Sequence, residues 1–232
     1  MYNKINIIFS SHLGKVKNDE FINHIKNTIG VPCDVFCYEN YNEFSLSKIY
    51  NRGFKEHFED NTIYVFCHND ITFKTTDWGK ILLRKFNNSD YDILGVAGST
   101  YIAENGVWWS DRSKMHGCVE HTNGVSCWVS KYSNERVGLI VPVVLVDGVF
   151  IAIKPDSNMV EWNEKYNNFH FYDVVKSVDN YLEGFNIGVI NDIRILHQSV
   201  GQTNDKWEEN RIQFVNEFKE YLPLDINDFK NK

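Results

Sequence analysis

The feature that most constrains this chain is its alternation of short apolar runs with longer amphipathic ones. Ile5-Asn6-Ile7-Ile8-Phe9 reads as a strand that stops at Ser10-Ser11-His12. Asn18 to Ile29 then sets Phe21, Ile22, Ile25 and Ile29 on one helical stripe, closed by Gly30-Val31-Pro32. Cys33 to Tyr38 supplies a second strand ending at Glu39-Asn40, and Ser45 to Phe58 a second helix. Ile63 to Cys67, a helix over Trp78 to Phe86, and a strand over Asp92 to Ala97 extend the series. Such spacing predicts an α/β fold with a parallel sheet of the nucleotide-binding type. Right-handed crossovers place the strand ends after Phe9, Tyr38, Cys67 and Ala97 along one edge.

Beyond Gly98-Ser99 the pattern changes. Thr100 to Arg136 is rich in Trp, Gly, His and Ser without periodicity, and Val137 to Ile153 gives two β-rich runs, a hairpin or mixed-sheet addition. A loop and helix over Asn163 to Glu183, a last strand over Asn186 to Leu196 and an amphipathic helix over Lys206 to Leu222 complete the order. The 232 residues, 43% hydrophobic and 15% aromatic, suit one large domain with a sizeable core. A net charge of −7 without a basic cluster excludes a nucleic-acid footprint. The run from Val137 to Ile153 is broken by Pro142, Asp147 and Gly148, too short and interrupted to span a bilayer. Met1 to Ile5 shows no signal-peptide layout, so cytosolic residence is expected. The five cysteines lack a C-x-x-C pair and are expected to be reduced, mostly buried thiols.

Chemistry-bearing residues sit where elements end. Ile63 to Cys67 runs straight into His68-Asn69-Asp70, and ligands of open α/β sheets bind beyond the carboxyl ends of strands. Asp147-Gly148 follows a buried run and also suits a turn; Asp173 precedes a helix and also suits an N-cap; His197 tips the last strand. The neighbours Trp108 and Trp109 cannot both be buried on one strand, so one of them faces a cleft or partner, and Trp128 lies in the same irregular segment.

Taken in order, these segments resemble the GT-A glycosyltransferases, in particular the family-2-like group of small bacterial sugar transferases. Ser47-Lys48-Ile49-Tyr50-Asn51-Arg52-Gly53 looks like the family's helix with an N-R-G ending, and His68-Asn69-Asp70 like its D-x-D motif with histidine first. Gly95 to Ser99 and Val146 to Phe150 are similar to the family's later strand and acceptor-side motif. Phe169-His170-Phe171-Tyr172-Asp173 lies where the family carries its catalytic carboxylate, and His197-Gln198-Ser199-Val200-Gly201 resembles its late H-x-S-x-G segment. The family's D-G-S-x-D after the second strand is absent, with Glu39-Asn40 nearby, and Ser10-Ser11-His12 replaces its P-x-x-N.

The resemblance implies a GT-A fold: a Rossmann-like, mostly parallel sheet flanked by helices, a mixed-sheet acceptor-side region and a C-terminal helix. It divides one domain into a nucleotide-binding half (1–99), an acceptor-side half (100–205) and a helix and tail (206–232). The implied activity is inverting transfer of a sugar from a UDP- or GDP-sugar to a glycan or lipid-linked acceptor, in the cytoplasm or at the inner membrane face. Ser10, Glu39, Asn51, Arg52, His68 and Asn69 would meet the nucleotide. Asp70 and His197 would hold Mn²⁺ or Mg²⁺, the imidazole tilting the choice toward Mn²⁺; His68 stands between metal and ribose. Asp173 would be the base, with Asp147, Trp108, Trp109 and His170 toward the acceptor. Two other readings stand beside this one. A sugar-nucleotide-binding relative without turnover would explain His68 in place of an acid; a metal-dependent phosphodiesterase or nucleotidyltransferase would need further carboxylates near Asp70.

Overall fold

The computed structural model describes residues 1–132, 137–199, 201 and 203–229. Its first half follows the expected alternation: β1 (Lys4–Ser11), α1 (Lys15–Ile29), β2 (Cys33–Glu39), α2 (Leu46–Glu56), β3 (Thr62–Cys67), β4 (Ile71–Phe73) and α3 (Trp78–Asn87). The side chains of β3 are buried along its whole length, which explains why Ile63 to Cys67 reads as a continuous apolar run. Ser45 caps α2, its hydroxyl accepting from the Lys48 amide at 3.3 Å. Gly53 lets α2 lie close on the sheet, because a Cβ there would stand 2.8 Å from Ile8. The glycine of the N-R-G ending therefore serves packing.

The second half is more divided than its sequence suggests. The strand expected over Asp92 to Ala97 breaks into β5 (Ile93–Gly95) and β6 (Ala97–Ser99), followed by β7 (Tyr101–Ile102), β8 (Met115–Thr122) and β9 (Cys127–Lys131). Val137 to Ile153 yields β10 (Ile140–Pro142), β11 (Leu145–Val146) and β12 (Phe150–Ile153); then come α4 (Tyr172–Leu182), β13 (Ile187–Ile190), β14 (Ile195–His197), α5 (Asp205–Glu217), β15 (Leu224–Asp225) and α6 (Ile226–Phe229). The main sheet has the order β10-β13-β5-β12-β3-β1-β2. β12 runs antiparallel between β3 and β5, so the central sheet is mixed at its middle, while β1, β2 and β3 are parallel as expected.

A second sheet, β11-β6-β8-β14-β4 with β9 beside β8, folds across the carboxyl edge of the first. The single strand expected over Asn186 to Leu196 serves both sheets: β13 stays in the main one and β14 crosses to the second. One apolar cluster fills the α1 and α3 face of the main sheet and another the α2 face, while a third joins α4 to α5. Of the cysteines, all free, only Cys67 is fully buried; Cys127 is exposed because β9 is an outer hairpin strand. This corrects the expectation of mostly buried thiols. Among the described residues no helix is long and apolar enough to cross a membrane.

Candidate active site

Strand pairing explains how residues far apart in sequence meet. β14 lies antiparallel to β4 with His197 opposite Ile71, and the Gln198 amide donates to the Asp70 carbonyl at 2.8 Å. His197 thereby reaches the exit of β3. Three ligand atoms converge there: His68 Nδ1 and His197 Nε2 are 3.3 Å apart, His197 Nε2 and Asp70 Oδ1 3.4 Å, and His68 Nδ1 and Asp70 Oδ1 3.8 Å. Two ligands at right angles, each about 2.1 Å from one divalent ion, stand about 3.0 Å apart. The triangle is close to that size, and its two imidazoles and one carboxylate suit a divalent transition ion. Ser199 Oγ lies 3.1 Å from His197 Nε2.

The electrostatics match this convergence. Burial alone would raise the Asp70 carboxyl, but its hydrogen bond to His197 and the charges of His197 and His68 hold it well below the usual carboxylate range. Burial would likewise lower His197, and the Asp70 hydrogen bond and charge outweigh it, raising the imidazole. Burial and the neighbouring His197 charge lower His68. A cation at this place would meet an ionised carboxylate beside two imidazoles.

Two cavities flank the triangle and share His68 and Phe169. The smaller, about 330 Å³, opens over the ends of β1 and β3 and is lined by Ser10, Ser11, His12, Asn40, Asn69 and Asp70. Its floor is braced by the buried Ser11, whose hydroxyl accepts from Asn69 at 2.9 Å and donates to Asn18 at 2.6 Å. The larger, about 460 Å³, is lined by Asp147, Asp173, Trp108, Trp109, His170 and Trp207, among others. Trp108 is buried and Trp109 is 40% exposed, their rings meeting edge to face, so one of the pair does face open space.

Asp173 sits in the first turn of α4, two residues beyond the N-cap position that its sequence context also suited. That position belongs to Phe171, held at φ 62°, a strained conformation for a bulky residue. Asp173 Oδ2 accepts from the Gly148 amide at 2.8 Å, while Asp147 Oδ1 accepts from the Val149 amide at 2.8 Å. Burial, then the Asp147 charge, push the Asp173 carboxyl up to about 7.

The structure thus gathers His68, Asp70, His197, Asp147, Asp173, Trp108, Trp109 and His170 around one seam, with Ser10 and Asn69 beside it. It leaves three expected nucleotide contacts outside the two cavities. Glu39 is exposed at the end of β2, and its neighbour Asn40 lines the smaller cavity instead. Asn51 spends its amide on the Trp162 backbone and Glu164, at 2.8 to 2.9 Å. Arg52 is exposed, paired with Glu56 at 2.7 Å. Sequence reasoning passed over Tyr172, Ser199, Ser11 and Trp207; only Ser199, inside the H-x-S-x-G segment, and Tyr172, beside Asp173, carried a local signal. Val200 of that segment lies outside the described residues.

The fold is that of the GT-A glycosyltransferases. Residues 11–218 match the sequence model of a glycosyltransferase-like family, and the chain belongs to that family. No curated protein matches its sequence. Among solved structures, it is similar to GalNAc-T7 in complex with UDP, GalNAc and Mn²⁺, at TM-score 0.64 and 8% identity over 95% of this chain and 49% of that one. It is also similar to the mannosyltransferase PcManGT from Pyrobaculum calidifontis in complex with GDP-Man and Mn²⁺, at TM-score 0.55 and 9% identity over 96% of this chain and 65% of that one. The chain spans about half the length of the first. At such identities the likeness is one of fold.

Proposed function

We propose that this protein transfers a sugar from a UDP- or GDP-sugar to a hydroxyl of a glycan or lipid-linked acceptor, in one inverting displacement that depends on Mn²⁺ or Mg²⁺. The observation that carries the reading is the triangle of His68, Asp70 and His197 on the seam between two cavities, with Asp173 in the wall of the larger. The donor diphosphate fits the smaller cavity beside Asp70, and the acceptor the larger, in line with a nucleotide-binding half over 1–99 and an acceptor half over 100–205. A bound divalent cation supplies Lewis-acid stabilisation to the departing diphosphate.

The chain's own residues do the rest. Asp173 receives the acceptor's proton as its oxygen bonds to the anomeric carbon, and the bond from that carbon to the diphosphate breaks with its electron pair on the phosphate oxygen. A carboxyl near 7 is suited to a base that works at neutral pH. Asp147 orients the acceptor hydroxyl, and Trp109 offers a ring face to a sugar. The metal-ligand group among the described residues holds a single carboxylate, which favours transfer over a phosphodiesterase built on clustered acids.

A thermal-shift screen against UDP-, GDP-, CMP- and TDP-sugars, with and without Mn²⁺, tests this. One nucleotide class should stabilise the protein only with Mn²⁺, and Asp70→Asn should abolish the effect. Stabilisation by no nucleotide, or one indifferent to Mn²⁺, would sink the proposal.

A further inference from the structure

We propose that Tyr172 is a positioning residue for the cation site, holding His68 so that its Nδ1 nitrogen faces the cation; this rests on the metal reading above. The two nitrogens of His68 point to different neighbours. Nδ1 is the one within the triangle, 3.3 Å from His197 and 3.8 Å from Asp70. Nε2 lies 2.9 Å from the Tyr172 hydroxyl. An imidazole that gives one lone pair to a cation carries its proton on the other nitrogen, and a partner accepting that proton fixes tautomer and ring orientation together. Here the Nε2–H donates to the Tyr172 oxygen.

The hydroxyl has a prepared place. Gly148 lies against it, and a Cβ at that position would overlap both the oxygen and the ring carbon that bears it. The ring is buried, with Tyr50 and Trp162 at centroid distances of 5.9 Å. The next residue, Asp173, is tied to Gly148 by its amide hydrogen bond. One turn of backbone at the start of α4, braced on one glycine, therefore orients a metal ligand and the base together.

The test titrates Mn²⁺ alone into the protein and follows free Mn²⁺ by electron paramagnetic resonance, in wild type, Tyr172→Phe, His68→Ala and the double variant. Tyr172→Phe should weaken Mn²⁺ about 10-fold, the usual scale for a lost outer partner of a metal-bound histidine, with little change in melting temperature. In the His68→Ala background it should add no further loss, since its action runs through His68. Unchanged affinity, or an equal loss with His68 already gone, overturns the inference and leaves the metal reading standing. A wild type that binds no Mn²⁺ removes both. Were Tyr172→Phe to fail to fold, nitrogen NMR of His68 in the Mg²⁺-loaded wild type decides: a proton on Nε2 supports the inference, and one on Nδ1 overturns it.

Discussion

Asp173 is a carboxyl whose environment works against its charge. Burial and Asp147 push it up to about 7 from the ordinary carboxylate value near 4. The folded protein thus holds this proton more tightly than the unfolded chain does. The stability gained from the protonated group is complete below about pH 4 and is lost as pH rises through about 7. Asp173→Asn removes that titration. The variant should therefore gain melting temperature over wild type at pH 8 and little at pH 4, the gap of about 3 pH units bounding the gain near 4 kcal/mol. Its transfer rate should fall about 10²- to 10⁴-fold, with the Mn²⁺-dependent nucleotide shift retained. Thermal melts at the two pH values and a single-turnover assay check both halves. A variant that keeps most of its rate would dismiss Asp173 as the base. In wild type supplied with Mn²⁺, the same titration predicts a transfer rate that rises with pH through about 7. At this scale the sequence exposed the charged residues, because an acid or imidazole after an apolar run is conspicuous. What stayed hidden is which group each hydroxyl meets, because only the fold brings His68, Asn69 and His197 to Tyr172, Ser11 and Ser199.

Elements were legible where their signals are local. The β1-α1-β2-α2-β3 order follows from periodicity within each segment, and the structure keeps it. Phe150–Ile153 slots between β3 and β5 through partners more than fifty residues away, which no local pattern announces. Asn51 shows the same limit. On α2 it looks like part of a motif, yet its amide clamps a loop 111 residues further on. Asn51→Ala would leave the Trp162 amide and carbonyl without their partner, each such buried group costing about 1–3 kcal/mol. A loss of about 2–6 kcal/mol is expected in urea denaturation, with Mn²⁺ affinity of the folded protein unchanged. A folded variant with weakened Mn²⁺ or nucleotide binding would instead return Asn51 to the ligand.

At the scale of the molecule, the second sheet is what makes a site out of a strand end. It carries His197 across to Asp70 and closes the larger cavity over the seam, with α5 supplying Trp207 from behind. The two cavities meet only along a narrow border that includes His68 and Phe169, so an acceptor and a nucleotide can contact largely separate residues. Function should then separate by substitution. Trp109 lines only the larger cavity of this pair, is 40% exposed, and packs on Trp108 and Trp207 at centroid distances of 5.4 and 5.6 Å. Its ring contributes little to the core and offers a face to a sugar. Trp109→Ala should raise the acceptor KM by up to about 10-fold, the equivalent of about 1.4 kcal/mol of stacking, while the Mn²⁺-dependent nucleotide shift stays at its wild-type size. Steady-state kinetics with varied acceptor, set beside the thermal shift, give the comparison. Equal damage to both ligands would mean that the larger cavity houses the donor as well, and the division of the chain into a nucleotide half and an acceptor half would fall with it.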